Sequence, residues 1–94
     1  MTLSPPRHRE APLHQWLTTH LAVYLDRLPE RIDPTVPLAE YGMDSVCALS
    51  LCGDIEDEFG ITVEPSLAWD HPTVADLAAH LAARGADPAN GRQR

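Results

Sequence analysis

The sequence predicts an all-α fold: a small four-helix bundle of three main helices and one short helix, with a long loop after the first. Three observations support this fold class. Apolar residues recur at spacings of three and four in three segments, as on one face of a helix. No segment alternates apolar and polar residues with the period of two that strands show. The 94 residues are enough for one domain with a modest core.

The first predicted helix spans residues 12–28, and residues 1–11 before it are expected to form a flexible tail. Pro12 suits the first helical turn, where the missing amide hydrogen has no acceptor in any case. Pro29 cannot continue a helix and should stop this one. The predicted apolar face contains Leu13, Trp16, Leu17, Leu21, Tyr24, Leu25 and Leu28.

Residues 29–43 are predicted to form a long loop, because prolines recur in them and Gly42 lies near their end. Long loops in compact domains often carry function. Four apolar side chains are available to pin this loop to the core: Ile32, Val36, Leu38 and Tyr41.

The second main helix is predicted to run from Ser45 to Phe59. Asp44 is a favourable residue for capping its N-terminus, and Gly60 is typical of the residue that ends a helix. The stripe predicted to be buried contains Ala48, Leu49, Cys52, Ile55 and Phe59, with Leu51 beside it. The acids of this helix are expected mainly on the other side: Asp54, Glu56, Asp57 and Glu58.

The last part of the chain is predicted to contain two further helices. Residues 61–65 should be extended, and residues 66–70 should form a short helical turn. Thr73 is expected to cap the final helix, with Asp76 in the place of the usual Glu or Gln of a capping box. Gly85 is expected to end it. The apolar face of this helix consists of Val74, Leu77, Ala78 and Leu81.

Charge is distributed unevenly along the chain, whose formal net charge is −7. From Leu13 to Arg84 there are 12 acids and 3 arginines, which gives −9 for the predicted domain, residues 12–84. A flexible tail is expected at 85–94. An acidic domain does not fit nucleic acid as its main partner and favours proteins with basic docking surfaces.

No apolar run of about 18 residues and no apolar signal segment is present, so we expect no membrane span and a cytoplasmic location. Cys47 and Cys52 lie five positions apart, about 500° of helical rotation, and therefore cannot form a disulfide. No metal site is predicted, because no paired histidines accompany these cysteines. Helix-surface positions are expected for His14, His20, His71 and His80.

The string "GMDSV" raises the question of what Ser45 does. Ser45 would lie in a first helical turn, where backbone amides lack partners and about half a positive charge accumulates. A phosphodiester on Ser45 would be favoured there, and the preceding loop would leave it open to a modifying enzyme. The simpler interpretation is that Asp44 and Ser45 only begin a helix. No Gly-x-Ser-x-Gly elbow or nearby base accompanies Ser45, so no catalytic residue is predicted.

Three strings within residues 13–84 together resemble an acyl carrier protein: "YGMDSV", "IEDEFGI" and "WDHPTVADLAAHL". The resemblance implies that Ser45 receives 4′-phosphopantetheine and holds acyl groups as thioesters, with no catalysis by the carrier itself. It also implies that Asp44 helps to hold the Mg²⁺ of the transferase, although a cap explains Asp44 equally well. Two positions depart from the family pattern: Val46 replaces the usual leucine, and Ser50 stands where many relatives carry an acid.

The ending "DHPTV…LAAHL" is more similar to carriers of modular polyketide synthases than to those of housekeeping fatty acid synthesis. Asp44 is more typical of an acyl carrier than of an aminoacyl carrier. The implied partners are a phosphopantetheinyl transferase, an acyl-loading enzyme, a ketosynthase and other synthase enzymes with basic docking surfaces. We expect a monomer. The sequence is compatible both with a discrete carrier and with a domain of a larger synthase.

The acids near the end of the second helix oppose its dipole, at a cost of about 0.3–1 kcal/mol for each carboxylate. Either they form a solvated surface that keeps the domain soluble, or they form a docking face for basic partners. We favour a docking face that contains Glu56, Asp57, Val46 and Met43.

Two alternatives accompany these predictions. The competing function is a non-catalytic helical interaction module with an acidic docking face and no prosthetic group. A small hydrolase that uses Ser45 is disfavoured, since no base or oxyanion-hole motif is visible. Trp16 and Trp69 are predicted to be core residues, and the alternative for Trp69 is contact with a ligand.

Overall fold

Every regular element is helical in residues 10–86, the part of the chain that the computed structural model describes. Two 3₁₀ turns, Pro29–Arg31 and Leu38–Tyr41, lie in the loop after the first helix. The predicted all-α bundle is confirmed. The four helices are α1 (Glu10–Leu25), α2 (Ser45–Phe59), α3 (Leu67–Asp70) and α4 (Val74–Ala83).

The predicted flexible tails lie mostly outside the described residues, since residues 1–9 and 87–94 are not among them. Glu10 and Ala11, which were assigned to the N-terminal tail, belong to α1. Ala86, which was assigned to the C-terminal tail, is buried in the core, and its amide donates to the Leu81 carbonyl over 2.9 Å. No helix within residues 10–86 is long and apolar enough to cross a membrane.

Helix α1 ends three residues earlier than predicted. Asp26 has a φ of 56°, in the left-handed region that breaks a right-handed helix. The Arg27 amide then donates to the Ala22 carbonyl over 3.0 Å and closes the helix end. The prediction that Leu28 belongs to the apolar face was therefore wrong, and its side chain is exposed.

The core is formed by leucines of α1, α2 and α4 together with loop side chains. Helix α1 packs against both α4 and α2. The apolar face predicted for α4 is fully buried, and the Thr73 hydroxyl accepts from the Asp76 amide over 3.0 Å as the predicted cap. The largest fully buried side chains are Leu13, Leu17, Leu21, Leu38, Leu51, Ile55, Val74, Leu77 and Leu81.

The buried stripe of α2 differs from the predicted one at three positions. Phe59, predicted to be buried, is half-buried and packs against the core. Leu51 is fully buried, whereas Leu49 is 58% exposed. Residues at i, i+3, i+4 and i+7 share a helix face, and this relation joins Leu51 to Ala48, Cys52 and Ile55. Leu49 lies about 100° of rotation beyond Ala48 and therefore faces away from the core.

The long loop is attached to the last two helices by main-chain hydrogen bonds. The Leu38 amide donates to the Pro72 carbonyl over 2.7 Å, and the Ala75 amide donates to the Pro34 carbonyl over 2.9 Å. Ile32 and Leu38 are buried, as predicted for side chains that pin the loop, while Val36 and Tyr41 are half-buried. These attachments fix the chain just before α2 begins.

Trp16 lies at the edge of the core, not at its centre. Its ring stacks on the His20 ring at a centroid distance of 4.0 Å and packs against the Phe59 ring at 4.8 Å. Because Trp16 contacts the last residue of α2 while Tyr24 contacts Cys47 near its start, α1 and α2 run antiparallel.

Candidate functional site

Ser45 is the first residue of α2, and its side chain is exposed. Asp44 before it has extended backbone angles, and its Oδ1 accepts from the Cys47 amide over 2.9 Å. The predicted N-cap is confirmed. This amide bond is the main reason that the pKa of the Asp44 carboxyl lies below its usual value. The carboxylate occupies one of the helix-end donors, and the helix end remains positive beside the Ser45 hydroxyl.

A tight turn delivers the chain to this helix end. Gly42 has a φ of 94°, which favours glycine, and its amide donates to the Ala39 carbonyl over 3.1 Å. The Met43 amide then donates to the Leu38 carbonyl over 3.2 Å. Met43, predicted to belong to the docking face, is half-buried and packs against the core. The loop therefore leaves Ser45, and not Met43, most open to solvent.

Ser45 borders a groove between α2 and α3, which we call the Ser45 groove. It has a volume of about 280 Å³ and is lined by Ser45, Leu49, Pro65, Ser66 and Trp69. Three of these five side chains are apolar, so the groove suits a chain with few polar groups. The serine hydroxyl lies on its wall, where a group attached to it can enter the groove.

Trp69 was predicted to be a core residue, and this was wrong. Its side chain is 54% exposed and lines the Ser45 groove. Helix α3 has four residues, a single turn, and its buried positions are occupied by Leu67 and Ala68. Trp69 follows them around the turn and faces outward. The alternative of contact with a ligand fits this position.

Exposed apolar side chains gather around Ser45. Val46 is 70% exposed, as expected for the predicted docking face, and exposed Leu49 and Trp69 line the groove beside it. A cluster of exposed apolar side chains is typical of an interaction site. Leu49 was missed as a surface residue, because it lies among apolar neighbours that made it look like part of the core.

The acids of α2 point in different directions and do not form one row. Glu56 lies toward the loop after the helix, where its Oε2 accepts from the Val63 amide over 3.2 Å. Asp57 is exposed and lies about 100° further around the helix. Asp54 faces α1, where its Oδ2 accepts from the Tyr24 hydroxyl and contacts His20 Nδ1 over 3.2 Å. Glu56 lies about 16 Å along the helix axis from Ser45.

Chemical catalysis by the Ser45 hydroxyl lacks support in the surroundings. Within residues 10–86, no side chain is hydrogen-bonded to that hydroxyl, and no group of three or more potential metal ligands occurs. His20 is engaged with Asp54 and Trp16, while His71 stacks on His80 at a ring distance of 4.1 Å. What the site offers is an accessible hydroxyl at a positive helix end.

Both cysteines are free thiols. Cys47 Sγ donates to the Tyr24 carbonyl over 3.7 Å, and Cys52 Sγ donates to the Glu64 carbonyl over 3.3 Å. Burial raises the pKa of each thiol. The two sulfur atoms lie on different sides of α2, in agreement with the predicted rotation between them.

Comparison with known proteins gives one family match, to the model described as "Phosphopantetheine attachment site", over residues 15–81. The chain is 39% identical over 79 residues to a phenolphthiocerol/phthiocerol polyketide synthase protein of Mycobacterium tuberculosis, covering 84% of the chain. It is 44% identical over 88 residues to the spectinabilin polyketide synthase system protein NorC of Streptomyces orinoci, covering 86% of the chain. The chain spans 4% of the length of each of these relatives.

Solved structures show the same architecture. A free-standing peptidyl carrier protein from Acinetobacter baumannii superimposes with a TM-score of 0.78 at 39% identity, covering 80% of this chain and 94% of that one. BlmI, a type-II acyl carrier protein from Streptomyces verticillus, gives a TM-score of 0.75 at 22% identity, covering 83% of this chain and 92% of that one. The second likeness supports the fold alone.

Proposed function

The chain belongs to the phosphopantetheine-attachment family, and from this premise we propose that Ser45 is the residue that carries the prosthetic arm. Members of this family hold 4′-phosphopantetheine covalently and act as carriers that present their cargo to partner enzymes. The chain is thus a carrier and not an enzyme. The observation that carries the assignment to Ser45 is its exposed hydroxyl at the start of α2, on the wall of an apolar groove.

Ser45 suits a phosphodiester for electrostatic reasons. Helix α2 has 15 residues, so the amides of its first turn lie at the positive end of a long helix dipole. The Asp44 side chain takes the Cys47 amide and leaves others in the first turn for phosphate oxygens. No basic side chain is needed beside the phosphate. The hydroxyl proton would leave to a base of the modifying enzyme, since no side chain in residues 10–86 is hydrogen-bonded to the Ser45 hydroxyl.

We propose acyl intermediates of polyketide assembly as the cargo. Polyketide synthases are the relatives that support this proposal, together with the apolar lining of the Ser45 groove. The proposed partners are a phosphopantetheinyl transferase, an acyl-loading enzyme, a ketosynthase and other synthase enzymes. We propose that the chain acts as a monomer in the cytoplasm, with a carrier domain slightly longer than the predicted residues 12–84, because α1 begins at Glu10 and Ala86 is buried in the core.

The proposed docking face surrounds Ser45 and continues along α2. Val46 and Leu49 supply apolar contact near the serine. Half-buried Met43 lies at the edge of this face. Glu56 and Asp57 supply negative charge about three helical turns further along α2. Carboxylates at this distance act mainly by steering basic partners, so their effect should weaken as salt increases.

The assignment of Ser45 is tested by coexpression with a phosphopantetheinyl transferase of broad specificity and intact-mass analysis. We expect one phosphopantetheine per chain, lost in Ser45→Ala and retained in the matched variant Ser50→Ala on the same helix. An unmodified native chain would favour the alternative of a plain interaction module. Modification that persists in Ser45→Ala would refute the assignment.

The docking face is tested by the rate of modification at low salt. We expect Glu56→Lys combined with Asp57→Lys to lower kcat/KM of the transferase by about tenfold, because a rim charge mainly changes association. Glu30→Lys, an exposed charge reversal in the loop before α2, is the control and should have little effect. Equal rates for the native chain and the double variant would contradict the proposed role of the acids.

A further inference from the structure

Two adjacent cavities lie along α1, on the flank of the domain away from the Ser45 groove. The first, of about 340 Å³, is lined by Pro12, Gln15, Trp16, Thr19 and His20. The second, of about 300 Å³, is lined by Thr19, His20, Val23, Tyr24 and Asp54. Because Thr19 and His20 line both cavities, the two cavities adjoin, and we call them together the α1 groove.

Helix α2 separates this groove from Ser45. With 100° of rotation per residue, Ser45 and Leu49 lie on the side of α2 that faces α3. Asp54 lies on the opposite side and contacts Tyr24 and His20 of α1. A protein bound in the α1 groove would therefore leave Ser45 and its groove uncovered.

The α1 groove combines an apolar surface with a single carboxylate. Val23 is 76% exposed, the highest value among the large apolar side chains of residues 11–86. Asp54 is the only acid among the lining residues, and its Oδ2 contacts both Tyr24 and His20. Among residues 10–86 no hydrogen bond to its Oδ1 occurs, so this oxygen can accept from a donor outside the domain. A ligand that complements this surface has an apolar group beside a cationic one.

Several side chains of the groove are held by contacts within the domain, without any partner. The His20 ring is held between the Trp16 ring and the Asp54 carboxylate, and Trp16 is in turn held against Phe59. Side chains that are fixed beforehand lose little rotational freedom on binding. This preorganisation distinguishes the groove from an ordinary exposed helix face.

We propose that the α1 groove is a second docking surface, for a protein segment that presents an arginine beside a large aliphatic side chain. The aliphatic side chain would occupy the cavity next to Val23, and the guanidinium would pair with Asp54. Arginine fits better than lysine, because a guanidinium is more weakly hydrated than an ammonium and loses less on pairing with a half-buried carboxylate through the single oxygen Oδ1. The acidic charge of the domain favours such a cationic segment. The proposal does not depend on Ser45 being modified.

The test uses the ¹⁵N-labelled domain in its Ser45→Ala form and a synthetic helical peptide of alanine, leucine and arginine. We expect amide shifts centred on Thr19, His20, Val23 and Asp54. Val23→Ser and Asp54→Asn should each raise the peptide Kd by about fivefold or more, since each removes one of the two contacts. Use of Ser45→Ala keeps the result separate from the fate of the proposed attachment site.

Matched controls exclude general effects of charge and hydrophobicity. Leu28→Ser removes an exposed apolar side chain outside the groove, and Asp26→Asn removes an exposed acid at the end of α1. Both should leave the Kd within about twofold of the parent value. Thr19→Arg is a further variant that leaves the contacts of Asp54 in place. It fills the groove with a positive charge, which repels the arginine of the peptide. It should therefore weaken binding as much as Asp54→Asn.

Three results would overturn the proposal. Shifts centred on Val46, Leu49 and Trp69 would place the peptide on the other flank of α2. Equal weakening by the control variants would show attraction to the acidic surface in general. Undiminished binding to Thr19→Arg would show that the α1 groove is not occupied.

Discussion

Ser45 and Trp69 line the same groove, although they belong to different helices. The serine is fixed by the cap at the start of α2, and the indole by the single turn of α3. A group bound to the Ser45 oxygen and long enough to cross the groove therefore meets the indole. We therefore expect Trp69 to report on what the proposed arm carries.

Attachment of an acylated arm is expected to shift Trp69 fluorescence to shorter wavelength, because the arm replaces water next to the indole. The measurement uses Trp16→Phe, which leaves Trp69 as the only tryptophan. Trp69→Ala should change the free energy of unfolding by less than about 1 kcal/mol, since the side chain is largely exposed. Emission that is identical before and after acylation would contradict contact between the arm and the groove.

Asp44→Ala is expected to lower the Tm by roughly 4–8 °C, because the Cys47 amide loses its acceptor. Asp44→Asn keeps an acceptor and should stay close to the native Tm at neutral pH. The lowered pKa of Asp44 stabilises the fold above the usual carboxyl pKa, and this contribution is lost as the pH falls below about 4. Thermal unfolding at neutral and acidic pH measures both effects, and an unchanged Tm for Asp44→Ala would contradict the cap.

Leu51→Ala should lose about 3 kcal/mol of unfolding free energy, because Leu51 is fully buried and truncation leaves a cavity. Leu49→Ala is the matched variant two residues away. Its side chain is mostly exposed, and we expect a change within about 0.5 kcal/mol. Urea unfolding compares the two variants. Equal losses of unfolding free energy would contradict the orientation of α2 in which Leu51 faces the core and Leu49 faces solvent.

Tyr24→Phe removes the hydroxyl that donates to Asp54, at a cost of about 1 kcal/mol for a half-buried hydrogen bond. The bond to Asp54, and secondarily burial, raises the pKa of Tyr24 to about 12. The bound proton therefore stabilises the fold below pH 10.0, and this contribution disappears as the pH rises toward 12. Between pH 10 and 12 the free energy of unfolding, measured by circular dichroism, should therefore fall more steeply with pH for the native chain than for Tyr24→Phe. The control variant Tyr41→Phe should keep the pH dependence of the native chain.

Stability is also expected to fall in mildly acidic solution because of His80. Burial, the neighbouring His71 and Arg84 lower the pKa of His80, and Asp70 opposes them only in part. The unfolded chain then binds the proton first, so the free energy of unfolding decreases as the pH falls below 6.5. His80→Gln should reduce this decrease, measured by urea unfolding above and below that pH. If His80→Gln showed the same pH dependence as the native chain, or the same as the control variant His14→Gln, the role of His80 would be refuted.

The bounds of α2 could be predicted because they depend on local chemistry. Asp44 accepts from an amide three residues ahead, and Gly60 has a φ of 69°, which glycine adopts readily. The exposure of Ser45 follows from the same cap. These features need only neighbouring residues, and such residues are visible in the sequence.

The facing of individual side chains depended on contacts between distant segments. Leu49 and Leu51 are chemically identical, and only the positions of α1 and α3 decide which one is buried. Trp69 lies in a helix too short to show a periodic pattern. Asp26 ends α1 in a left-handed conformation that few aspartates adopt. None of these outcomes has a local signal.

The inward position of the two cysteine sulfurs has a consequence for the chemistry of a carrier. With their pKa values raised, Cys47 and Cys52 remain largely protonated, and protonated sulfur is a poor nucleophile. A thioester held at the end of the arm therefore meets little competition from the protein that bears it. Transfer of the acyl group from the arm to a cysteine of the same chain is therefore disfavoured. A thiol-selective label should react with the free arm in preference to Cys47 and Cys52.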